Sequence, residues 1–345
     1  MVAGILFLLP LLSLGDPINE SSDPWKQLEP LPNTEGFAGP FVGVAGGSLI
    51  VAGGANFPDR KPWEGGEKKW YDSIWRLTST SGTWSKVGQL PRPLGYGVSI
   101  TYQDSLICIG GSNATGHFSD VFRISIDSGT VQIEPLATLP ISLANGAGVL
   151  VGDDIYIAGG QEHASSRTTL HKVFRLRLSQ PSPRWEEIAS WPGPPRMLAV
   201  AATLGSDFWM IGGVDLIDGP TPKPTRLYLK DTYRFDPATG WKRMADLPTP
   251  LAAAPSPAPL MNATITILGG DTGTDVNTPH DRHPGFSRRM ITWNQQTKQW
   301  EVRGELPFAT VTTTPALWQN SWIVPTGEVF PGIRTPAIWT RAARP

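Results

Sequence analysis

The segment Asp154-Ile-Tyr-Ile-Ala-Gly-Gly160 contains the unit that decides the fold of this chain. Its β-branched and aromatic residues are typical of a buried strand, and its two glycines allow a tight turn or a close approach to neighbouring backbone. Four other apolar runs also end in Gly-Gly, at Gly54, Gly111, Gly213 and Gly270. A sixth run ends instead in Thr326-Gly327 and is followed directly by Glu328.

A second motif, Trp followed six residues later by Leu-Pro, alternates with the first. Its copies begin at Trp25, Trp84, Ile133, Trp185, Trp241 and Trp300, with Ile133 replacing the Trp and Trp191 replacing the Leu. The second glycines of the first motif, at 54, 111, 160, 213, 270 and 327, lie 49 to 57 residues apart. Repeats of this length that combine several short strands with turns are typical of propeller blades. Six concordant copies of Gly-Gly with Trp predict an all-β protein, a six-bladed kelch-type β-propeller.

The order of the two motifs predicts how the ring of blades closes. The chain begins with a Trp strand that has no Gly-Gly partner and ends with a Gly-Gly unit that has no Trp strand. We therefore expect the strand near Trp25 to complete the sixth blade, which removes exposed strand edges. The predicted propeller domain spans residues 25–345.

The N-terminus is predicted to direct export. Residues 1–15 are mostly apolar, too short to span a bilayer comfortably, and end in small residues, as a secretory signal peptide does. Residues 16–24 form a polar linker, and no later segment is typical of a membrane helix. We expect an exported protein, periplasmic or extracellular, whose mature chain is not inserted in a membrane. With 29 basic and 30 acidic residues, the chain does not favour a nucleic-acid partner.

Glu328 and Arg334 are the strongest candidates for chemistry, because the sixth unit departs from the repeat by adding them. A carboxylate at the end of an apolar strand can act as a general base when it is partly removed from water. An arginine six residues later offers a planar fork for a substrate carboxylate. The alternative is that the two side chains pair with each other on the surface, a common and weakly stabilising arrangement. Spacing alone slightly favours the surface pair.

Three loops that follow Gly-Gly pairs offer further polar groups. Residues 55–71 combine aromatic, amide and charged side chains, which suits a sugar-binding loop and a solvated loop equally well. Residues 269–283 contain acids and a His-x-x-His, but this spacing matches no compact metal site and favours a flexible polar loop. Glu162 and His163 could line a central pocket, although exposure in a long loop is favoured.

Cysteine chemistry is not indicated. The one cysteine, Cys108, excludes an intrachain disulfide and lies in an apolar run typical of a buried structural residue. A copper-radical sugar oxidase on a kelch propeller needs a Tyr–Cys pair and several His ligands, so that class is disfavoured. No cofactor or metal is predicted.

The segment Gly327-Glu-Val-Phe-Pro-Gly-Ile-Arg-Thr335 resembles the Gly-Glu-x-x-Pro-Gly-Leu-Arg-Thr motif of the bacterial N-acetylneuraminate epimerases, or sialic acid mutarotases, which are six-bladed kelch propellers. In that family the Glu is the proposed proton acceptor and the Arg its functional partner, roles that the resemblance carries over to Glu328 and Arg334. Further stretches similar to the same enzymes are Gly53–Phe57, Lys68-Lys69 and Gly95–Ser99. The resemblance implies Asn56, Lys68 and Tyr96 as substrate-binding residues.

The order of these motifs resembles the cyclically permuted branch of mutarotases. The stretches around Gly53 and Tyr96 come first and the Glu motif comes last, an order that a closed ring of blades makes physically easy. One departure concerns an Arg of the family pattern before Tyr96, which is replaced here by Leu94, with Arg92 two residues away. The role of that Arg does not carry over.

The resemblance implies an isomerase that interconverts α- and β-N-acetylneuraminate by acid/base ring opening at the anomeric carbon. Glu328 would be the base, and Arg334 would hold the sugar carboxylate or the developing charge. The expected partner is a small acidic sugar, and a homodimer is possible. One alternative is an exported kelch module that binds a carbohydrate or a protein without catalysis. Another is a lyase or hydrolase for acidic sugars, which would normally need a second well-placed acid or base.

Overall fold

The computed structural model describes residues 24–343 as a ring of six sheets, each with four antiparallel strands. From the inner to the outer strand, the blades consist of Phe41–Ala45, Ser48–Ala52, Ser73–Leu77 and Ser85–Gln89 in blade 1; Val98–Tyr102, Ser105–Ile109, Val121–Asp127 and Thr130–Pro135 in blade 2; Ala147–Val151, Asp154–Ala158, Val173–Arg177 and Trp185–Ile188 in blade 3; Val200–Leu204, Asp207–Ile217, Thr225–Asp236 and Gly240–Arg243 in blade 4; Leu260–Met261, Thr264–Gly270, Ser287–Asn294 and Gln299–Glu305 in blade 5; and Ala316–Trp318, Ser321–Pro325, Ile338–Ala342 and Lys26–Leu28 in blade 6. The predicted six-bladed propeller is confirmed.

Three short two-stranded ribbons and one helical turn extend the blades on the loop side. The ribbons pair Ala55–Asn56 with Lys69–Trp70, Ser112–Asn113 with Gly116–His117, and Glu328–Phe330 with Ile333–Arg334. The 3-10 helix spans Pro62–Glu64. Within residues 24–343 no helix is long and apolar enough to cross a bilayer. The predicted signal peptide 1–15 and nearly all of the linker 16–24 lie outside the described residues.

Closure of the ring by the N-terminal strand is confirmed. Lys26–Leu28 pairs antiparallel with Ile338–Ala342, and Gln27 lies opposite Trp339. The outer strand of blade 6 therefore comes from the beginning of the chain, while its three inner strands come from the end. This pairing joins the two ends of the domain through backbone hydrogen bonds.

The core lies between neighbouring blades, as the apolar runs predict. The second strands of blades 1 and 2, Ser48–Ala52 and Ser105–Ile109, are buried along their whole length. The repeated tryptophans fill space between blades, where Trp84 is 8% exposed and its indole N–H donates to the Glu29 carbonyl at 2.8 Å. Trp185 and Trp241 donate in the same way to carbonyls of the preceding blade's exit segment. Indole rings thus anchor successive blades to one another.

The glycine pairs lie where adjacent blades approach most closely. Gly53 has a φ of 67°, and a Cβ atom there would lie 2.3 Å from the Leu94 carbonyl oxygen. In blade 6 the corresponding residue is Thr326, which keeps a positive φ of 51°. Its hydroxyl accepts from the Phe37 N–H at 2.7 Å and lies 2.8 and 2.6 Å from the carbonyls of Phe37 and Thr335. A buried hydroxyl thus replaces the close glycine contact where the last blade meets the first.

We expect Thr326→Val to lower the free energy of unfolding by about 1–3 kcal/mol, because the isosteric side chain leaves buried backbone groups without a partner. Urea unfolding followed by tryptophan fluorescence measures this change. The control is Thr297→Val, at an exposed turn position, which should alter stability by less than about 0.5 kcal/mol. Equal stability of the two variants would contradict this role of the hydroxyl.

A closed ring of six backbone hydrogen bonds, called the axial ring below, surrounds the propeller axis. Each blade contributes one residue of positive φ from the segment before its inner strand, and the N–H of this residue donates to the carbonyl of the corresponding residue in the preceding blade at 2.7–2.9 Å. The members are Gly39, Tyr96, Asn145, Leu198, Ala253 and Thr312. The axial ring separates a cavity between the inner strands from a larger cavity on the loop side. It therefore forms the floor of the larger cavity.

Candidate active site

The larger cavity has a volume of about 720 Å³ and is bordered by loops of all six blades. Four of the five residues predicted for the site line it: Lys68, Tyr96, Glu328 and Arg334. They come from widely separated parts of the sequence and meet because the loops that follow the second strands converge above the axial ring.

The residue directly after the second glycine of each repeat lies close to the axial ring. Each is bridged to the residue that precedes an axial-ring member, as in the pairs Glu328 with Val311 and Asp271 with Ala252. Three of these equivalent positions carry polar side chains that line the cavity: Gln161, Asp271 and Glu328. The repeat thus presents polar groups at one fixed height around the floor.

Glu328 and Arg334 lie opposite each other in the ribbon of blade 6. One carboxylate oxygen of Glu328 accepts the Gly332 N–H at 2.7 Å, and the other lies 3.4 Å from Arg334 Nη2. Only 17% of the Glu328 side chain and 4% of the Arg334 side chain are exposed. The two residues do pair, as the alternative interpretation expected, but in the wall of the cavity rather than on an open surface.

Arg334 is held with unused hydrogen-bonding capacity. Its Nε and Nη1 atoms are buried without a hydrogen-bond partner among the described residues, and its guanidinium lies 4.8 Å from the centre of the Phe57 ring. Two residues of the axial ring, Tyr96 and Thr312, also have buried side-chain hydroxyls with no hydrogen-bond partner among the described residues. Unsatisfied buried donors are costly to a folded protein and require an explanation, and function is one such explanation.

Lys68 provides a positive charge that is open to solvent. Its Nζ lies 5.1–5.8 Å from the ring centres of Tyr96, Trp70 and Phe57. Among residues 24–343 it forms no ion pair with a carboxylate. Contacts with aromatic faces keep an ammonium group in place without neutralising its charge. Lys68 is therefore able to bind an anionic ligand.

Asn56 does not line the cavity, in contrast to the substrate contact predicted for it. It is fully buried, and its amide nitrogen donates to the Gly36 carbonyl at 2.8 Å. Its amide oxygen accepts the Tyr71 hydroxyl at 2.9 Å. With both ends of its amide bonded inside the protein, Asn56 supports the loop that carries Lys68.

Asp271 and Tyr228 are cavity residues that the sequence analysis missed. The Tyr228 hydroxyl donates to Asp271 Oδ2 at 2.7 Å. Burial, together with this hydrogen bond, raises the pKa of Tyr228 to about 12. The signal was present in the sequence, since Asp271 follows Gly270 as Glu328 follows Gly327. The interpretation of residues 269–283 as a flexible polar loop obscured it.

The loops of blades 1 and 5 meet above the cavity. The rings of Trp63 and His280 are stacked, with centres 4.4 Å apart and planes 9° from parallel. This contact packs residues 55–71 against residues 269–283, so neither segment is simply a solvated loop. Glu162 and His163, by contrast, have side chains that are 43% and 68% exposed, as expected.

Arg92 does not take the place of the missing family arginine in the cavity. Its guanidinium lies 4.6 Å from the Phe118 ring centre and 3.5 Å from Asp120, outside the cavity lining. Leu94 is buried, at 1% exposure. The lysine and arginine side chains that line the cavity within residues 24–343 are therefore Lys68, Arg226 and Arg334, of which Arg334 pairs with Glu328.

Comparison with known proteins identifies the family. The family model described as N-acetylneuraminate epimerase matches residues 16–133 and 136–279. The chain belongs to the N-acetylneuraminate epimerase family. Because the matched residues end before Glu328, the assignment of Glu328 and Arg334 within this epimerase-family protein rests on their motif and on the cavity, not on the match itself.

Curated relatives carry the same name. The N-acetylneuraminate epimerase of Salmonella arizonae is 42% identical over 121 residues, which are 31% of this chain and 31% of the relative. That of Yersinia pestis (strain Pestoides F) is 26% identical over 232 residues, 60% of this chain and 57% of the relative. The chain thus spans from about a third to somewhat more than half of the length of these relatives.

A solved structure supports the fold of this epimerase-family protein. The structure titled "Structure of YjhT" superposes with a TM-score of 0.63, covering 90% of this chain and 96% of the other at 17% identity. At this identity the likeness concerns the propeller alone.

Proposed function

We propose that this protein is an isomerase that interconverts the α and β anomers of N-acetylneuraminate. Membership of the epimerase family and the names of the relatives support this substrate. The observation that carries the proposal is the Glu328 carboxylate, fixed by Gly332 and Arg334 and partly exposed in a cavity that also presents the free ammonium group of Lys68.

The reaction requires one proton to move between two oxygens on the same carbon. Glu328 removes the proton from the anomeric hydroxyl, a carbonyl forms at the anomeric carbon, and the bond from that carbon to the ring oxygen breaks. Protonated Glu328 then returns the proton to the former ring oxygen, which becomes a hydroxyl in the open-chain keto acid. After the carbonyl group rotates, the reverse steps close the ring on its other face. No oxidant, reductant or second substrate is consumed.

Lys68 and Arg334 have different positions in the cavity and therefore different proposed roles. Arg334, at 4% side-chain exposure, is paired with Glu328 and is largely closed to a ligand. Its proposed role is to fix the orientation of the Glu328 carboxylate and to stabilise the negative charge that changes there during proton transfer. Lys68 is exposed and forms no ion pair with any residue in the described range 24–343, so its proposed role is to bind the substrate carboxylate. A keto acid bound by Lys68 places its anomeric carbon, which is bonded to that carboxylate, beside Glu328.

We expect Lys68→Met to raise KM for N-acetylneuraminate about 10- to 100-fold with little change in kcat, because a charge-assisted contact is lost in both the bound substrate and the transition state. The matched control is Lys69→Met, since Lys69 lies over Tyr71 and does not line the cavity. Initial rates of anomer exchange over a range of sugar concentrations give both constants. An unchanged KM in Lys68→Met would contradict this role.

The proposed activity is tested by proton NMR of α-N-acetylneuraminate released from an α-sialoside by a sialidase. Added protein should speed the appearance of the β anomer above its spontaneous rate. If the sugar protects the protein against thermal unfolding and exchange stays at the spontaneous rate, the protein is a binding module and the mutarotase proposal fails.

A further inference from the structure

Asp271 occupies in blade 5 the position that Glu328 occupies in blade 6. Both residues directly follow the second glycine position of their repeat, and both are bridged to the residue before an axial-ring member. Both line the loop-side cavity. The cavity therefore contains a second carboxylate, in the neighbouring blade and at the same height above the floor, that the proposed proton transfer does not use.

The Asp271 carboxylate is held in place by neutral donors. Its Oδ1 accepts the Gly273 N–H at 2.9 Å, and its Oδ2 accepts the Tyr228 hydroxyl at 2.7 Å. Each carboxylate oxygen has further lone pairs, so the group can accept additional hydrogen bonds. A Cβ at Gly273 would come within 2.3 Å of the Tyr228 ring, which shows how closely this turn packs on the tyrosine.

Tyr228 positions Asp271 and is not a proton donor to the substrate. Its phenol is half-buried, and burial with the hydrogen bond to Asp271 raises its pKa to about 12. Transfer of its proton to a sugar would leave a phenolate beside a carboxylate, two negative charges in contact. The phenol therefore remains a fixed donor to Asp271.

Charge is divided around the wall of the cavity. Lys68 belongs to the loop of blade 1, Glu328 and Arg334 to the ribbon of blade 6, and Asp271 to blade 5. Arg226, on the third strand of blade 4, also lines the cavity and lies near Tyr228. The order around the wall is thus Lys68, the proposed base with its arginine, Asp271, and then Arg226. The ammonium group of Lys68 attracts the carboxylate of an acidic sugar, whereas sugar hydroxyls are suitable donors to Asp271.

We propose that Asp271, positioned by Tyr228, binds the hydroxyl groups of the sugar's exocyclic side chain and thereby fixes the orientation of the acidic sugar in the cavity. This inference rests on the proposed function to the extent that the ligand is a polyhydroxylated keto acid. With the carboxylate at Lys68 and the anomeric carbon at Glu328, the glycerol side chain, which is attached to the carbon on the other side of the ring oxygen, extends toward blade 5. Asp271 is then a determinant of specificity for long-chain acidic sugars.

The test compares two ligands and uses binding alone. Calorimetry gives Kd for N-acetylneuraminate at anomeric equilibrium, where catalysis changes no concentration. It also gives Kd for an analogue with a shortened glycerol chain, made by periodate cleavage and borohydride reduction of an α-sialoside and then released as the free sugar by mild acid. We expect Asp271→Asn to weaken binding of the intact sugar about 10- to 100-fold and binding of the shortened sugar less than about 2-fold. Tyr228→Phe should also weaken binding of the intact sugar and not of the shortened one, but by less than Asp271→Asn does. The matched control, Glu162→Gln, removes an exposed carboxylate outside the cavity lining and should alter neither Kd.

Equal weakening of both ligands by Asp271→Asn, or no weakening of either, overturns the inference. Failure of the proposed mutarotation is separately visible, because the wild-type protein would then bind the sugar without accelerating anomer exchange. In that case the comparison of the two ligands still decides the role of Asp271. If the wild-type protein binds neither ligand, both proposals fall.

Discussion

Replacing Glu328 by glutamine is expected to reduce the enzyme-catalysed rate of anomer exchange about 10²–10⁴-fold, the range that positioned proton transfer contributes. Glutamine has the same shape and can still accept the Gly332 N–H with its amide oxygen, so the ribbon of blade 6 should persist. It cannot take a proton from the anomeric hydroxyl. In the proposed reaction Glu328 handles the proton in both directions, so its replacement removes both halves of the transfer.

The measurement is the first-order rate of β-anomer appearance by proton NMR, corrected for the spontaneous rate. The control is Glu162→Gln, whose side chain is 43% exposed and lies outside the cavity lining, and which should retain wild-type activity. The melting temperature of Glu328→Gln should stay close to that of the wild type. Near-normal exchange in a folded Glu328→Gln variant would remove Glu328 from the mechanism.

The largest effect on stability is expected from Arg196→Leu, which should lower the free energy of unfolding by about 3–5 kcal/mol. Arg196 is fully buried, and its Nη1 and Nη2 atoms donate to the two carboxylate oxygens of Asp231 at 2.9 and 2.8 Å. Nη1 also donates to the Gly212 carbonyl at 2.8 Å. Leucine at this position leaves Asp231 as a buried charge with no cation beside it.

A double variant separates the cost of an orphaned charge from the value of the pair. The residues that correspond to Arg196 before the inner strands of blades 2, 3 and 5 are leucines, and the residue that corresponds to Asp231 in blade 1 is Ser73. Arg196→Leu/Asp231→Ser should therefore recover most of the loss, since apolar packing often replaces a buried ion pair at little cost. As a control, Arg243→Ala breaks an exposed pair with Asp246 and should cost less than about 1 kcal/mol. A double variant as unstable as Arg196→Leu would contradict this account.

The Arg196–Asp231 pair makes the free energy of unfolding depend on pH, with a sign that follows from the pKa of Asp231. Burial alone would raise the pKa of Asp231, but hydrogen bonds and charge from Arg196 outweigh it and hold that pKa below its ordinary value. A carboxyl with a lowered pKa contributes stability that is present at neutral pH and is lost as pH falls through the lowered value. The difference in unfolding free energy between the wild type and Arg196→Leu should accordingly shrink on acidification.

The sequence predicted the fold well because its evidence was repeated. Six copies of an apolar run and a glycine turn, alternating with a tryptophan strand, are consistent only with a ring of like blades. The unmatched Trp25 strand then identified how the ring closes. Glu328 was visible for a related reason, since it changes a pattern that five other copies establish.

Contacts between blades could not be predicted from local pattern. Asn56 belongs to the same segment as Lys68, residues 55–71. Only the folded structure shows that its amide is hydrogen-bonded to the Gly36 carbonyl and the Tyr71 hydroxyl. The hydrogen bond from the Tyr228 hydroxyl to the Asp271 carboxylate joins blades 4 and 5, between residues that are 43 positions apart in the sequence. The buried arginine Arg196 looked like one charge among many, because its partner Asp231 is 35 residues away.

The axial ring also determines how this protein can discriminate between ligands by charge. Its six hydrogen bonds follow one another head to tail around a circle, so the in-plane components of their N–H and C=O dipoles largely cancel. A helix terminus pointed at a ligand imposes a sign on what it binds, whereas this floor imposes none. Preference for an anion must therefore come from the replaceable side chains of the wall, among them Lys68, Arg226 and Arg334. The same scaffold could accept neutral or cationic sugars through a few substitutions in the wall, without any change in the backbone that closes the propeller.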